Sequence, residues 1–348
     1  MITRLADLTT LRVGGPAREV LVAESDAALI DAVAAADANG TPALLVAGGS
    51  NLLVSDRGVD GTVVLVRTRG IAVEPDTCGG AWVTAAAGEP WDDLVALAIA
   101  SGWSGIESLS GIPGSVGATP IQNVGAYGQE VSDVIARVRT WDRVDRTPRS
   151  FAAADCGFGY RTSRFLAEPQ RYVVLDVTFQ LPLSDTSPPI RYAELARALG
   201  VEVGARAQTA DVRRAVLDLR RSKGMVLDPA DHDTWSAGSF FTNPVLEAAA
   251  ADALPPGAPR WPTGVDSIKT SAAWLMEYAG FSRGHGNGPA RLSGKHPLAI
   301  TNTGGATAQD ILRLAREVRD GVRAATGITL TPEPVLVGCT LDSVSSDQ

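Results

Sequence analysis

Two stretches of the chain are composed to bring backbone amides, rather than reactive side chains, to a ligand. One is AGGSNLLVS, residues 47–55; the other is GIPGSVGATPIQNVGAYGQE, residues 111–130. In the second, Gly111, Gly114, Gly117, Gly125 and Gly128 alternate with Pro, Ser, Asn and Gln, and hydrophobic periodicity is almost absent. Glycine admits positive φ and lets another group come close to the main chain. Several glycines beside uncharged polar residues suggest successive amides gathered into an anion-binding nest. Neither stretch contains G-x-x-x-x-G-K-[ST], and no G-x-G-x-x-G opens a helix after the first strand, which weighs against a nucleoside-triphosphatase loop and a Rossmann site. The composition points to two loops around an extended, phosphate-bearing ligand, with tight turns between strands as the other reading. His232, His285 and His296 are scattered, as are Cys78, Cys156 and Cys339. Their spacings give neither a metal site nor a disulfide framework, and no metal is expected.

The elements that must position these loops alternate between helical and strand signals. Ser25-Asp26 can cap a helix with Leu29, Ile30, Val33 and Ala34 on its apolar face, stopped by Asn39-Gly40. ALLVAGG (43–49) and TVVLV (62–66) are short valine-rich runs that predict buried strands. WVTAAAG (82–88) leads into a helix with Leu94, Leu97 and Ala98 inward. YVVLDVTFQL (172–181) alternates, placing Val173, Leu175, Val177, Phe179 and Leu181 on one face. A helix from about Thr209 turns Val212, Ala215, Val216 and Leu219 inward and ends at Lys223-Gly224. The clearest helix is capped by Thr307, carries Ile311, Leu314, Ala315, Val318 and Val322, and runs to Gly327. The strand PVLVG (334–338) and a polar tail, expected to be disordered, follow. The class is mixed α and β in several layers.

Composition narrows the function further. Within 348 residues, 31 Lys and Arg against 39 Asp and Glu give a net charge of −8, and no long basic run occurs. Nucleic acid is therefore a poor partner, although local positive patches for a small anion remain open. The N-terminal MITRLADLTTLRVGG has no apolar signal region, and no apolar run is long enough to span a bilayer. A cytoplasmic protein is expected, and nothing requires an oligomer.

Seven strings in order carry a resemblance that none carries alone. They are LRVGGPA (11–17), AGGSNLLVSD (47–56), AGEPWDDL (87–94), LSGIPGSVGATPIQNVGAYGQE (109–130), FGYRTSRF (158–165), AGSFFTNP (237–244) and LTPEPVLVG (330–338). In this order the chain resembles the UDP-N-acetylenolpyruvoylglucosamine reductase (MurB) family over about residues 8 to 338. The resemblance implies an α+β protein of three domains, combining an FAD-binding fold of the PCMH/vanillyl-alcohol-oxidase type with a C-terminal MurB substrate domain. The expected division is 1–67 with 329–348, then 68–204, then 205–328. It also implies FAD, bound non-covalently since no histidine or cysteine stands out as a tether, and NADPH as co-substrate. Gly48, Gly49, Ser50, Asn51 and Leu52 would line the FAD diphosphate, continued by Gly117, Asn123, Gly125 and Ala126.

The family reaction assigns the remaining roles. A hydride added at C3 of the enolpyruvyl ether leaves negative charge on C2 and its carboxylate, which calls for fixed donors. Arg161 matches the arginine that grips the carboxylate. Glu333 matches the carboxyl group that would donate to the enolate, and Ser239 the proton donor to C2. No neighbouring histidine and no G-x-S-x-G elbow suggest that Ser239 is an acyl nucleophile. Lys223 and Asn243 match contacts to the UDP diphosphate of the substrate, and Tyr192 the tyrosine on the loop that closes over substrate, with packing at the start of a helix as its other reading. Tyr192, in a segment that only the first type of the family carries, implies a mobile lid. His296, in GKHPLAI, stands where some relatives differ, and no role follows for it. An FAD oxidase using O₂ and a non-catalytic nucleotide-sugar binder are the competing expectations. Intact Ser239, Arg161 and Glu333 argue against both.

Overall fold

The structure, a computed structural model, describes residues 3–76 and 79–342, so Cys78 and the tail from 343 lie outside it. Its contacts gather the chain into two compact units, each made of separated segments. The first holds Met1–Arg18, Gly49–Val59 and Leu227–Gln348; the second holds Glu19–Gly48 and Asp60–Val226. These cuts differ from the three-domain expectation, most clearly for the helix Thr209–Ser222, which lies in the second unit. Arg213 of that helix clamps both carboxylate oxygens of Asp92, at 2.6 and 2.8 Å, and the amide of Gly111 reaches the same carboxylate at 2.6 Å. A bidentate guanidinium–carboxylate pair fixes direction as well as distance, and it ties the helix to the glycine-rich stretch.

The second unit is built on a five-stranded antiparallel sheet. Its order is Thr147–Ala152, Ile135–Asp142, Tyr172–Pro182, Gly80–Ala86, Ile71–Asp76. Tyr172–Pro182 is the central strand. Val173, Leu175, Val177, Phe179 and Leu181 are buried as the alternation predicts, but so are Tyr172, Val174, Asp176 and Thr178. Both faces of a central strand are covered here, so alternation of residue type does not become alternation of exposure. Asp176 is accommodated by Arg139, across the sheet, which also meets Asp26. The helix Trp91–Ala100 lays Trp91, Leu94, Val95 and Ala98 into this core, whereas Leu97 is exposed, contrary to expectation. Val95, not Leu97, shares the inward face with Leu94 and Ala98. Ser25 caps the helix Asp26–Ala38 by accepting from the Ala28 amide, and Ala43–Val46 pairs in parallel with Val59–Val66. A smaller core in the same unit joins Ile190 and Leu195 to Val212 and Val216.

The first unit gathers around Phe240, Phe241, Leu275, Met276, Ile311, Leu312, Val318 and Val322, all but fully buried. The helix Ala308–Thr326 opens with a reciprocal cap between Thr307 and Asp310 and closes at Gly327, which is left-handed. Its first two amides also donate to Asp56, at 2.8 and 3.1 Å. Leu52–Val54 pairs in parallel with Val335–Val337, so the returning C-terminal strand lies beside the segment that follows the first glycine loop. Among the described residues no helix is long and apolar enough to cross a membrane.

Candidate active site

The first glycine loop is where the chain passes from the second unit to the first, between Gly48 and Gly49. A Cβ on Gly48 would stand 2.7 Å from the Cα of Gly114, so within the second unit the two glycine-rich stretches meet main chain to main chain. Gly49 has φ +61°, and a Cβ there would stand 1.8 Å from the Leu8 carbonyl oxygen. The chain's own close approaches thus demand glycine at both positions, independently of any ligand. Ser50 and Asn51 turn the chain, and Leu52 enters the strand. The Asn51 side-chain amide donates to the Glu333 carbonyl at 3.3 Å, and the Asn51 backbone carbonyl accepts from the Val335 amide at 2.9 Å.

The second stretch is more committed to its own packing than its composition suggests. The amides of Val116 and Gly117 donate to Glu89 and Ala87 carbonyls, each at 2.9 Å. Gly117 therefore brings close approach rather than a donor. The Ser115 hydroxyl, in contrast, is buried with no hydrogen-bond partner. Gly125–Ala126 pairs with Gln129–Glu130, closed by Tyr127 and Gly128 at φ +50° and +83°. Two left-handed central residues are what a tight two-residue hairpin turn requires. Asn123, also left-handed at φ +42°, is almost fully buried. Its amide donates to Glu130 at 2.7 Å and to the Gly159 carbonyl at 3.0 Å, and its oxygen accepts from Ser132 at 3.1 Å.

Arg161 completes this cluster. Its backbone is left-handed at φ +51°, its guanidinium donates to the Gly125 carbonyl at 2.9 Å, and it lies 5.7 Å from the centre of the Tyr160 ring. The structure thus brings Arg161 together with Asn123 and Gly125. Tyr192 and Lys223 are brought together through a residue the sequence did not single out, Tyr127. The Tyr192 ring meets the Tyr127 ring edge-on, with centroids 5.5 Å apart, and the Lys223 ammonium stands 5.7 Å over the same ring. Lys223 also pairs with Glu194. Burial pushes the Tyr127 phenol up to about 12, with Arg220 opposing and Glu194 and Tyr192 adding to the rise. Tyr127 stands in the quoted GAYG, so its bulk among glycines was the available signal.

In the first unit, Ser239 and Glu333 are placed by extended backbone. Ser239 bridges Ala299, Phe240 donates to Leu298 at 2.7 Å, and Phe240 accepts from the Glu333 amide at 2.9 Å. Phe241 bridges Pro332 in turn. One short segment whose two phenylalanines are buried therefore carries Ser239 and also seats Glu333. His296 lies in the turn leading to Ala299, where its Nδ1 accepts from the Leu298 amide at 3.1 Å. The Asn243 side-chain oxygen accepts from the Ala272 amide at 2.9 Å, at the start of the helix Ala272–Tyr278.

Comparison with known proteins matches two family models. One, described as the UDP-N-acetylenolpyruvoylglucosamine reductase C-terminal domain, covers residues 228–337; the other, an FAD binding domain, covers residues 17–146. The UDP-N-acetylenolpyruvoylglucosamine reductase of Cutibacterium acnes is 58% identical over 340 residues, spanning 97% of this chain and 90% of that protein. The protein of the same name from Streptomyces coelicolor is 55% identical over 348 residues, with the same two shares. Among solved structures, the reductase (MurB) from Thermus caldophilus aligns with a TM-score of 0.65 at 27% identity, over 97% of this chain and 98% of that one.

Proposed function

The chain belongs to the UDP-N-acetylenolpyruvoylglucosamine reductases, which are FAD oxidoreductases, and we propose that it uses NADPH to reduce the enolpyruvyl ether of UDP-N-acetylglucosamine to UDP-N-acetylmuramate. The reading puts this reaction in the cytoplasm, as a step toward peptidoglycan precursors. The residues fit FAD. The Ser115 hydroxyl, buried and unpartnered in a glycine-lined loop, is a polar group available to a phosphate oxygen. Gly48, Gly49, Ser50, Asn51 and Leu52 would hold the diphosphate, and Gly117, Asn123, Gly125 and Ala126 would also contribute to cofactor binding. FAD, when bound, supplies the carrier that takes hydride from NADPH and gives it to C3 of the substrate.

The protein's own residues bind, orient and protonate. Arg161, whose guanidinium donates to the Gly125 carbonyl at 2.9 Å and to the Asn123 carbonyl at 3.5 Å, is thereby fixed in orientation, and it supplies the cation that meets the substrate carboxylate. Ser239 delivers the proton from its Oγ to C2, where charge has built up. Serine is a weak acid, so it serves only against a strongly basic carbon and with donors that stabilise the intermediate. Glu333 donates to that enolate in its protonated form. Lys223, Tyr192 and the NH₂ of Asn243 take the substrate diphosphate. Residues 1–67 with 329–348 and 68–204 would serve the cofactor, and 205–328 the substrate, although Lys223 packs with the second compact unit.

The observation that carries the reading is the hydrogen bond from the Glu333 amide to the Phe240 carbonyl at 2.9 Å, which holds the two candidate proton-handling residues on adjacent backbone. Anaerobic stopped-flow at the flavin absorbance tests it. NADPH should reduce the purified enzyme, and the enolpyruvyl substrate should reoxidise it. Ser239→Ala should leave reduction nearly intact and slow substrate-driven reoxidation by about 10²–10⁴-fold. Equal slowing of both halves would remove the proton-donor role, and rapid recovery only in air would indicate an oxidase.

A further inference from the structure

Tyr127 sits where its side chain is hardest to justify locally. It occupies the first central position of a two-residue turn at φ +50°, a conformation suited to Asn or Gly and costly for a bulky residue. The ring is nonetheless used on two sides. Tyr192 approaches edge-on and Lys223 stands over it. Both elements have anchors besides the ring. Tyr192 precedes the helix Ala193–Leu199, packed through Leu195 into the small core around Val212 and Val216. Lys223 terminates the helix Thr209–Ser222, which Arg213 fixes to Asp92. Tyr127 itself packs against that small core. Since its phenol is pushed up to about 12, the ring meets the ammonium as a neutral π face at any ordinary pH.

We propose that Tyr127 is a positioning residue for the diphosphate end of the substrate: its ring is a common seat that aligns Tyr192 and Lys223. This rests on the reading that those two residues bind diphosphate. Without the seat, the Tyr192 ring must be ordered by the ligand and Lys223 keeps only its pair with Glu194, so the cost falls on binding rather than on chemistry. The left-handed turn is then the local cost of aiming an aromatic ring out of a glycine hairpin.

The experiment uses the flavin-loaded enzyme in four forms besides the wild type: Tyr127→Asn, Tyr127→Phe, Lys223→Met, and Tyr127→Asn with Lys223→Met. Asparagine removes the ring but suits the left-handed backbone, so folding is retained, with flavin content and melting temperature as controls. Tyr127→Asn is expected to raise KM for the enolpyruvyl substrate about tenfold while kcat stays within about twofold. Tyr127→Phe, which keeps the ring, should recover most of the loss. In the Lys223→Met background the Tyr127→Asn effect should shrink to about threefold or less, because part of what it disturbs is already gone. Full additivity would overturn the proposal, since Tyr127 would then act independently of Lys223. So would an unchanged KM in Tyr127→Asn when Lys223→Met raises it. If Lys223→Met leaves KM unaltered, the diphosphate reading falls first and takes the proposal with it.

Discussion

Ser239 and Glu333 in one compact unit, and Asn123, Tyr127 and Arg161 in the other, are held by opposite means. The first pair hangs on extended backbone whose bridges run through Phe240 and Phe241, both buried. The three residues of the second unit all have left-handed backbone, at φ +42°, +50° and +51°. There the conformation is held by side chains: Asn123 binds Glu130, Gly159 and Ser132, and Arg161 binds Gly125. Extended backbone asks nothing unusual of its residues, so no side-chain hydrogen bond is needed to hold its conformation. Left-handed backbone stores strain, and neighbouring hydrogen bonds must hold it. Side chains in the first unit should therefore be separable from stability, and those in the second should not.

Glu333 gives the widest separation. The structure uses its amide toward Phe240 and its carbonyl toward Asn51, both of which survive a change of side chain. Glu333→Gln should lower the rate of substrate-driven flavin reoxidation by about 10²–10⁴-fold, while the melting temperature moves little. A large fall in melting temperature would show that the carboxyl group is structural and break the contrast from this side.

Asn123 tests the other side. Replacement by alanine removes both donations and the acceptance from a buried site, leaves Glu130 and Gly159 without that donor, and keeps a β-carbon on left-handed backbone. We expect a loss of about 3 kcal/mol in urea unfolding, from unsatisfied buried groups and strain together. Asn123→Gly, which relieves the backbone, should lose less. Equal losses would mean that the hydrogen bonds alone hold the loop and that the left-handed backbone costs nothing measurable.

The same contrast explains which parts were legible in the sequence. Helices that begin at Ser25 and Thr307 were readable because a cap and its periodic face lie within a few residues of each other. The strand pair Ile135–Asp142 and Thr147–Ala152 was not, because Arg137, Arg139 and Arg149 interrupt its apolar pattern and Arg143 stands in the turn between them. Arg139, Arg143 and Arg149 are paired with acids far away in sequence or across the turn. Gly48 and Gly49 were legible as positions needing glycine, but the reason includes Gly114 and Leu8, which only the folded chain brings there. Tyr127 was passed over because its partners, Tyr192 and Lys223, come from distant segments. Ser239, Arg161 and Glu333 were named through family motifs. Residue chemistry alone would have left each as an ordinary hydroxyl, surface cation or turn carboxylate.

The smallest effect concerns acid. Asp142, in the second unit, has no exposed side-chain surface and accepts from Arg171 Nε at 3.0 Å and from the Val144 and Asp145 amides at 3.0 and 3.2 Å. Burial alone would push its carboxyl up, but Arg171 and the two amides outweigh it and hold the group down to about 2. A carboxyl that titrates lower when folded than when unfolded stabilises the fold above the unfolded value and loses that contribution as pH falls through the folded one. The window therefore lies between about pH 4 and pH 2. In the first unit the comparable depressed carboxyl is Asp310, a helix cap lowered by the Thr307 amide and hydroxyl. A surface cap secures one helix end, whereas Asp142 ties a hairpin turn to the strand beside it. Urea midpoints of wild type and Asp142→Asn should differ at pH 6 and approach each other as the pH is lowered toward 3. The same pair of measurements on Asp310→Asn should show a smaller gap. If the Asp310 gap were the larger, the second unit would not be the one that depends on buried side-chain clamps, and the division drawn from its left-handed residues would fail with it.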